Sequence, residues 1–124
     1  MQILVVDDHA LFVESLRARF EQDERFEVVG TATDGRAAVK LARDLQARVV
    51  LMDLMMPGLD GLAATRRLRA LEAPPRVIAL SGRLDRLSRE AAAEAGADAY
   101  VSKATGFEEL AETILRVCGG GAAA

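Results

Sequence analysis

At 124 residues, 51% hydrophobic and 28% charged, the chain has the size and composition of one globular domain rather than a disordered segment. Its net charge of −3 gives no electrostatic case for nucleic-acid binding, and its single cysteine excludes an internal disulfide or a cysteine metal cage. No apolar stretch approaches a membrane span and the first residues read as a strand rather than a signal peptide, so a cytoplasmic domain with no membrane contact is expected.

Short apolar runs alternate with helical patterns five times, which predicts an α/β fold with a parallel sheet and helices on both faces. Ile3-Leu4-Val5-Val6 predicts a strand near 2–6 that ends on the acidic pair Asp7-Asp8. The first helix starts after His9 and buries Phe12, Leu16 and Phe20, with Asp7 or Asp8 also serving as its cap. A strand at 27–32 leads to a helix capped by Asp34 that buries Ala38, Leu41, Ala42 and Leu45. Val49-Val50-Leu51-Met52 predicts a strand at 48–53 that ends on Asp53. The third helix follows Asp60-Gly61, takes Asp60 as a cap, turns Ala64, Leu68 and Leu71 inward and stops before Pro74-Pro75. A strand at 76–80 reaches Ser81. The fourth helix, roughly 84–95, offers Leu84 and Leu87 and then mostly alanine up to Gly96, so it is expected to be the least firmly packed. A last strand at 98–101 leads to Lys103. Phe107, Leu110, Ala111, Ile114, Leu115 and Cys118 then keep a helical period, which makes Cys118 a packed, inert thiol. Thr105-Gly106-Phe107-Glu108 fits a capping box at that helix start. Residues 1–118 form the domain, and 119–124 read as a flexible tail or the start of a linker.

Right-handed crossovers bring every strand end to one edge of such a sheet, where ligands bind. Asp7, Asp8, Asp53, Ser81 and Lys103 land there. Clustered carboxylates repel, so the site invites a hard divalent cation or a shared proton. Two or three oxygen ligands plus water suit Mg²⁺. A carboxylate beside that ion can attack phosphorus to give an acyl phosphate, with an ammonium and a hydroxyl completing a cradle for the phosphoryl oxygens.

In order and spacing, Ile3-Leu4-Val5-Val6-Asp7-Asp8-His9, Asp53-Leu54-Met55-Met56-Pro57-Gly58-Leu59-Asp60-Gly61 and Gly96-Ala97-Asp98-Ala99-Tyr100-Val101-Ser102-Lys103 resemble a receiver domain of a two-component response regulator along essentially the whole chain. Asp7-Asp8-His9, Phe26-Glu27-Val28-Val29-Gly30 and Asp34-Gly35 are similar to the subfamily that usually carries a C-terminal helix-turn-helix. The resemblance implies a doubly wound, flavodoxin-like parallel sheet of five strands in order 2-1-3-4-5 with five helices. It makes Asp53 the phosphoryl acceptor. Asp8, Asp53 and the backbone carbonyl of Met55 would hold Mg²⁺, with Asp7 acting through water. Lys103 would pair with the Asp53 carboxylate before transfer and with the phosphoryl group afterwards. Ser81 would move to hydrogen-bond that group, Gly82 would leave room for a donor, and the rotamer of Tyr100 would track Ser81. His9 is expected to be a bystander, because the family's phosphodonor histidine lies on the kinase.

The function so implied is a regulatory phosphoacceptor, not an enzyme in its own right. A histidine kinase would phosphorylate it, and its partner or homodimer surface would then change. The domain itself would bind no nucleic acid and would control transcription through an effector domain absent from this chain. A phosphorylation-independent docking domain of the same fold is the alternative. Two features depart from the pattern. Ala104 stands where many receivers have a proline after the lysine, so no cis bond is expected there. Met55 and Arg83 occupy positions that tune phosphoryl loss, and neither is suited to orient an attacking water, which implies a long-lived phosphorylated state.

Overall fold

The structure, a computed structural model, describes residues 1–55, 60–82 and 86–120. Strands and helices alternate as β1 (Gln2–Val6), α1 (Ala10–Glu21), β2 (Glu27–Ala32), α2 (Gly35–Leu45), β3 (Val49–Asp53), α3 (Gly61–Arg69), β4 (Arg76–Ser81), α4 (Arg86–Ala95), β5 (Ala99–Ser102) and α5 (Phe107–Leu115). A wider π-helical turn, Arg116–Gly120, extends α5. All strand pairs are parallel and the sheet order is β2-β1-β3-β4-β5, the order that the resemblance implies. Met56–Leu59 of the loop after β3, Arg83 and Leu84 before α4, and the tail from Gly121 lie outside the described residues. Among the described residues no helix is long and apolar enough to cross a membrane, and no peptide bond is cis.

The core forms two layers because side chains alternate along each strand. Ile3, Val5, Val49, Leu51, Ile78, Leu80 and Val101 pack under α1 and α5 with Leu16, Phe20, Leu110 and Ile114. Leu4, Val6, Val50, Met52 and Val77 pack on the other face with Ala38 and Ala42 of α2 and Ala64 and Leu68 of α3. β1, β3 and β4 are apolar on both faces, which is why their sequences are continuous apolar runs.

The same alternation sorts the polar residues at the strand ends. Counting on from Val5, Leu51 and Val101, Asp7, Asp53 and Lys103 all fall on the α1/α5 side. Ser81 follows Ala79 onto the opposite side, where Ala79, Tyr100, Leu54 and Ala92 of α4 form a small third cluster. Asp7, Asp53 and the lysine therefore share one face, and Ser81 and Tyr100 share the other.

Side-chain capping explains where α2 and α3 begin. Asp34 accepts a hydrogen bond from the Ala37 backbone N–H at 2.9 Å, and Asp60 accepts one from Ala63 at 2.8 Å. Three expectations are corrected. The cap of α1 is His9 with no side-chain hydrogen bond to the helix, and neither Asp7 nor Asp8 caps it. The cap of α5 is Gly106, not Thr105, so the capping box does not form. The Ser102 hydroxyl takes the Ala104 N–H and the Ser102 carbonyl takes the Thr105 N–H, and that turn moves the helix start along by one residue. Leu87, offered as an apolar contact, faces solvent at 72% exposure, whereas Leu45 keeps its side chain over Gly30 of β2. α4 instead buries Ala92 and Ala95, which fits its expected weak packing.

At Gly61 the start of α3 lies tightly against the end of β3. A Cβ there would overlap the Asp53 carbonyl oxygen and lie 2.7 Å from Leu54 Cα, both backbone atoms that cannot swing aside. Gly61→Ala is expected to cost about 1–3 kcal/mol in urea unfolding, and Gly82→Ala, where a Cβ meets nothing within 4 Å, well under 1 kcal/mol. Equal stability of the two variants would contradict this account of the β3–α3 junction.

Candidate functional site

The β1, β3 and β5 ends converge on one buried charge cluster. Asp7 and Asp53 are each 1% exposed, while Asp8 lies at the rim. The Asp7 N–H donates to the Ala32 carbonyl of β2, and the Lys103 N–H donates to the Ser81 carbonyl of β4, so backbone ladders hold both residues in place. The Lys103 ammonium then reaches back across the edge. It lies 2.7 Å from Asp7 Oδ2 in a close ion pair, 3.4 Å from Asp53 Oδ2 and 5.0 Å from the Phe12 ring centroid. The lysine expected to pair with Asp53 thus sits nearer to Asp7 and bridges the two.

Asp53 is held differently through its two oxygens. Oδ1 accepts the Met55 backbone N–H at 3.0 Å, which fixes the carboxylate plane. Oδ2 is buried and accepts no hydrogen bond from any described residue. A buried carboxylate oxygen without a donor is costly unless a cation completes it. Asp7, Asp8, His9 and Asp53 each offer one ligand atom, and all four atoms lie within 4.8 Å of one another. This acidic cluster has the donor type and the unmet demand of a hard divalent cation site.

Neighbouring charges push the two buried carboxyls in opposite directions. For Asp7, burial raises the pKa, but contacts with Lys103 and His9 outweigh it and hold the group below the ordinary value. For Asp53, burial dominates and the Asp7 charge adds to it, while the Met55 N–H and Lys103 only partly offset them, so its pKa is raised. Asp53 is therefore the more basic of the pair and carries the more available lone pair.

His9, expected as a bystander near the helix start, lies in contact with the cluster. Its backbone N–H donates to Asp7 Oδ1 at 2.9 Å, and its Nδ1 lies 2.9 Å from the same oxygen and 3.2 Å from Lys103 Nζ. The position of His9 directly after the acid pair was the available signal, but the ring's direction depends on a lysine far along the chain.

Ser81 ends β4, 2% exposed, and Tyr100 is half-buried one register step away, since Ala79 pairs with Tyr100 and Ser81 with Ser102. The Arg89 guanidinium of α4 lies 5.1 Å from the Tyr100 ring centroid. Asp60 caps α3 and stands outside the cluster, and Met55 is 64% exposed at the mouth of the site. Cys118 is buried with its thiol pKa raised by desolvation, consistent with an inert packed sulfur.

Comparisons with known proteins agree with this geometry. The response regulator receiver domain family matches residues 3–115. The chain is 36% identical over 114 residues to the transcriptional regulatory protein LiaR of Bacillus subtilis, covering 92% of this chain and 54% of that protein. The signal receiver domain of the response regulator NarL from Mycobacterium tuberculosis superposes with a TM-score of 0.91 at 31% identity, covering 96% of both chains. A LuxR-family two-component response regulator from Aurantimonas sp. SI85-9A1 superposes with a TM-score of 0.89 at 33% identity, covering 96% of this chain and 85% of that one. The chain spans about half the length of the curated relatives it matches.

The opposed pKa shifts predict a stability signature. With its pKa raised in the fold, charged Asp53 opposes folding at neutral pH, and that penalty disappears as pH falls below the ordinary carboxyl value. Asn in its place keeps an acceptor for the Met55 N–H and removes the charge. Asp53→Asn is expected to raise the thermal midpoint by about 2–6 °C at neutral pH, with the gain shrinking on acidification. Asp7 acts the other way, contributing stability above the ordinary carboxyl value and losing it as pH falls through its depressed one. Circular dichroism melts across pH check both signs, and a midpoint lowered by Asp53→Asn would overturn the assignment of strain to Asp53.

Proposed function

This chain belongs to the response regulator receiver domain family, whose members are regulatory phosphoacceptors, and on that premise we propose that it is a phosphorylation-dependent switch with Asp53 as its acceptor. The observation that carries the assignment is Asp53 Oδ2, buried at the strand end, without a hydrogen bond and 3.4 Å from the one ammonium of the cluster. The acceptor oxygen attacks phosphorus as the phosphorus–nitrogen bond of a kinase phosphohistidine breaks. The imidazole leaves with that electron pair and takes a proton from solvent, and an aspartyl phosphate remains. A small acyl phosphate serves equally, its phosphorus–oxygen bond breaking and the carboxylate leaving.

Each neighbour has a physical task in that step. The Met55 N–H holds Asp53 Oδ1, so the carboxylate presents one defined oxygen. Asp8, Asp53 and the Met55 carbonyl would hold Mg²⁺, with Asp7 acting on it through water. When bound, that ion offsets the negative charge shared by the acceptor and the transferring oxygens. Lys103 already spans Asp7 and Asp53, and a short shift carries its ammonium to a phosphoryl oxygen. Ser81 supplies a hydroxyl from the other face of the sheet, and its neighbour Tyr100 follows it inward. Tyr100 packs with Ala92 of the alanine-packed α4, so the α4–β5–α5 face is the surface that changes for a partner or a second copy. A C-terminal DNA-binding effector in the full-length protein would convert that change into transcriptional control, inside the cytoplasm with a histidine kinase upstream.

Incubation with acetyl phosphate and Mg²⁺ is expected to add one phosphoryl mass to the parent chain and none to Asp53→Asn. Asp8→Ala should lose Mg²⁺ binding and most of the incorporation. Mg²⁺ binding absent from the parent, or a mass increment unaffected by Asp53→Asn, would favour a docking domain that works without phosphorylation.

Phosphoryl loss should also be slow. Met55 offers no hydrogen bond to orient a hydrolytic water, and its exposed thioether stands at the mouth of the site. Met55→Asn is expected to speed loss severalfold, followed by mass spectrometry after donor removal. Unchanged or slower loss in the variant would contradict this role of Met55.

A further inference from the structure

We propose that Arg48 is a latch that fixes the direction in which the chain leaves the domain. Its use as a mount rests on the reading that an effector follows this end, and the chain spans about half the length of the curated relatives it matches. The turn that closes α5 is the wide π-helical one at Arg116–Gly120. Carbonyls at a helix end have no partner within the helix and need a donor from elsewhere. Arg48, 70 positions earlier, supplies one: its guanidinium donates to the Cys118 carbonyl at 3.0 Å. A cation at that end also complements the helix dipole.

The side chain crosses from one layer of the fold to the other. Arg48 stands just before β3, and strand alternation puts it with Val50 on the side of α2 and α3. There it lines a groove with Ala42, Ala47, Leu71 and Ala73. Cys118 belongs to the opposite layer, with Leu51 and Ile114. The guanidinium therefore turns under the strand start and ties α5 to the far side of the sheet. Arg76 lies on the α5 side by the same alternation, as Ile78 does, but it pairs with Asp98 at 3.3 Å. That leaves Arg48 as the donor for the turn. Its own backbone is fixed, with its N–H on the Gln2 carbonyl at 3.0 Å and its carbonyl taking the Arg76 N–H at 2.9 Å. The anchor is thus the start of β3, the strand that ends on Asp53. A segment continuing from the turn inherits the orientation of the sheet, and changes at the α4–β5–α5 face reach it at a fixed angle.

Nuclear magnetic resonance on the parent chain is expected to give Arg116–Gly120 amides residual dipolar couplings that fit the alignment of the sheet. In Arg48→Ala those couplings should fall to about half, and the same amides should exchange about tenfold faster, while amides of β3 and of Phe107–Ile114 keep the parent rates. Arg43→Ala removes another arginine of the same groove, one paired with Asp44, and is expected to change neither reading. A turn that tumbles apart from the sheet in the parent, or couplings unchanged in Arg48→Ala, would overturn the inference. So would faster exchange spread equally over β3 and α5, which marks general destabilisation, or equal loosening in Arg43→Ala. None of these readings involves a phosphoryl group, so their failure leaves Asp53 to be judged by its own mass increment.

Discussion

The structure depends on a charge deficit buried at one sheet edge: Asp7 and Asp53 inside, Asp8 at the rim, and Lys103 as the ammonium set against them. Unit charges about 4 Å apart interact by about 4 kcal/mol at an effective dielectric near 20. A missing positive charge in this place therefore outweighs any single packing contact around it. Lys103 settles against Asp7 and leaves Asp53 the less satisfied partner, with its pKa raised by burial and by the neighbouring anion. What this provides is a carboxylate whose affinity for a cation, a proton or a phosphoryl group exceeds that of an exposed aspartate.

Strand alternation turns that local chemistry into a device with two sides. Asp7, Asp53 and Lys103 occupy the α1/α5 face, and Ser81 and Tyr100 occupy the α4 face, with the β4 and β5 ends between them. The Lys103 N–H to Ser81 carbonyl bond, 2.9 Å, ties the two sides through backbone rather than through side chains. Charge added at Asp53 is thus felt by groups that themselves touch a different helix. α4 is suited to respond because Ala92 and Ala95 bury little area and Leu87 gives none to the core.

The fold was legible where its causes are local or periodic. Apolar runs ending on Asp7 and Asp53 marked the strands of the sheet interior, and the caps at Asp34 and Asp60 depend on N–H groups only three residues away. The α5 start was misread because Thr105-Gly106-Phe107-Glu108 has the right letters but competes with the Ser102 turn just before it. Leu87 was misplaced because helical period alone does not show how far round α4 its neighbours extend. At the site, the residues to expect were readable from sequence, but their pairing was not. His9 Nδ1 meets a lysine 94 positions away, and whether Lys103 favours Asp7 or Asp53 depends on strand stagger that no spacing encodes.

The same arrangement explains why such a site suits a switch better than a turnover catalyst. A hydrolase working through an aspartyl phosphate needs a second acid or base to deliver water to phosphorus. In this chain the position two residues after Asp53 is Met55, whose backbone N–H is spent on Asp53 Oδ1 and whose side chain faces solvent without a proton to give or take. Asp7, the nearest buried carboxylate, is held in its charged form by Lys103 and His9, which makes it a weak base. The pocket is thus well equipped to receive a phosphoryl group and poorly equipped to release one. On the proposed reading, a phosphoryl charge on Asp53 would therefore persist long enough for α4 to respond.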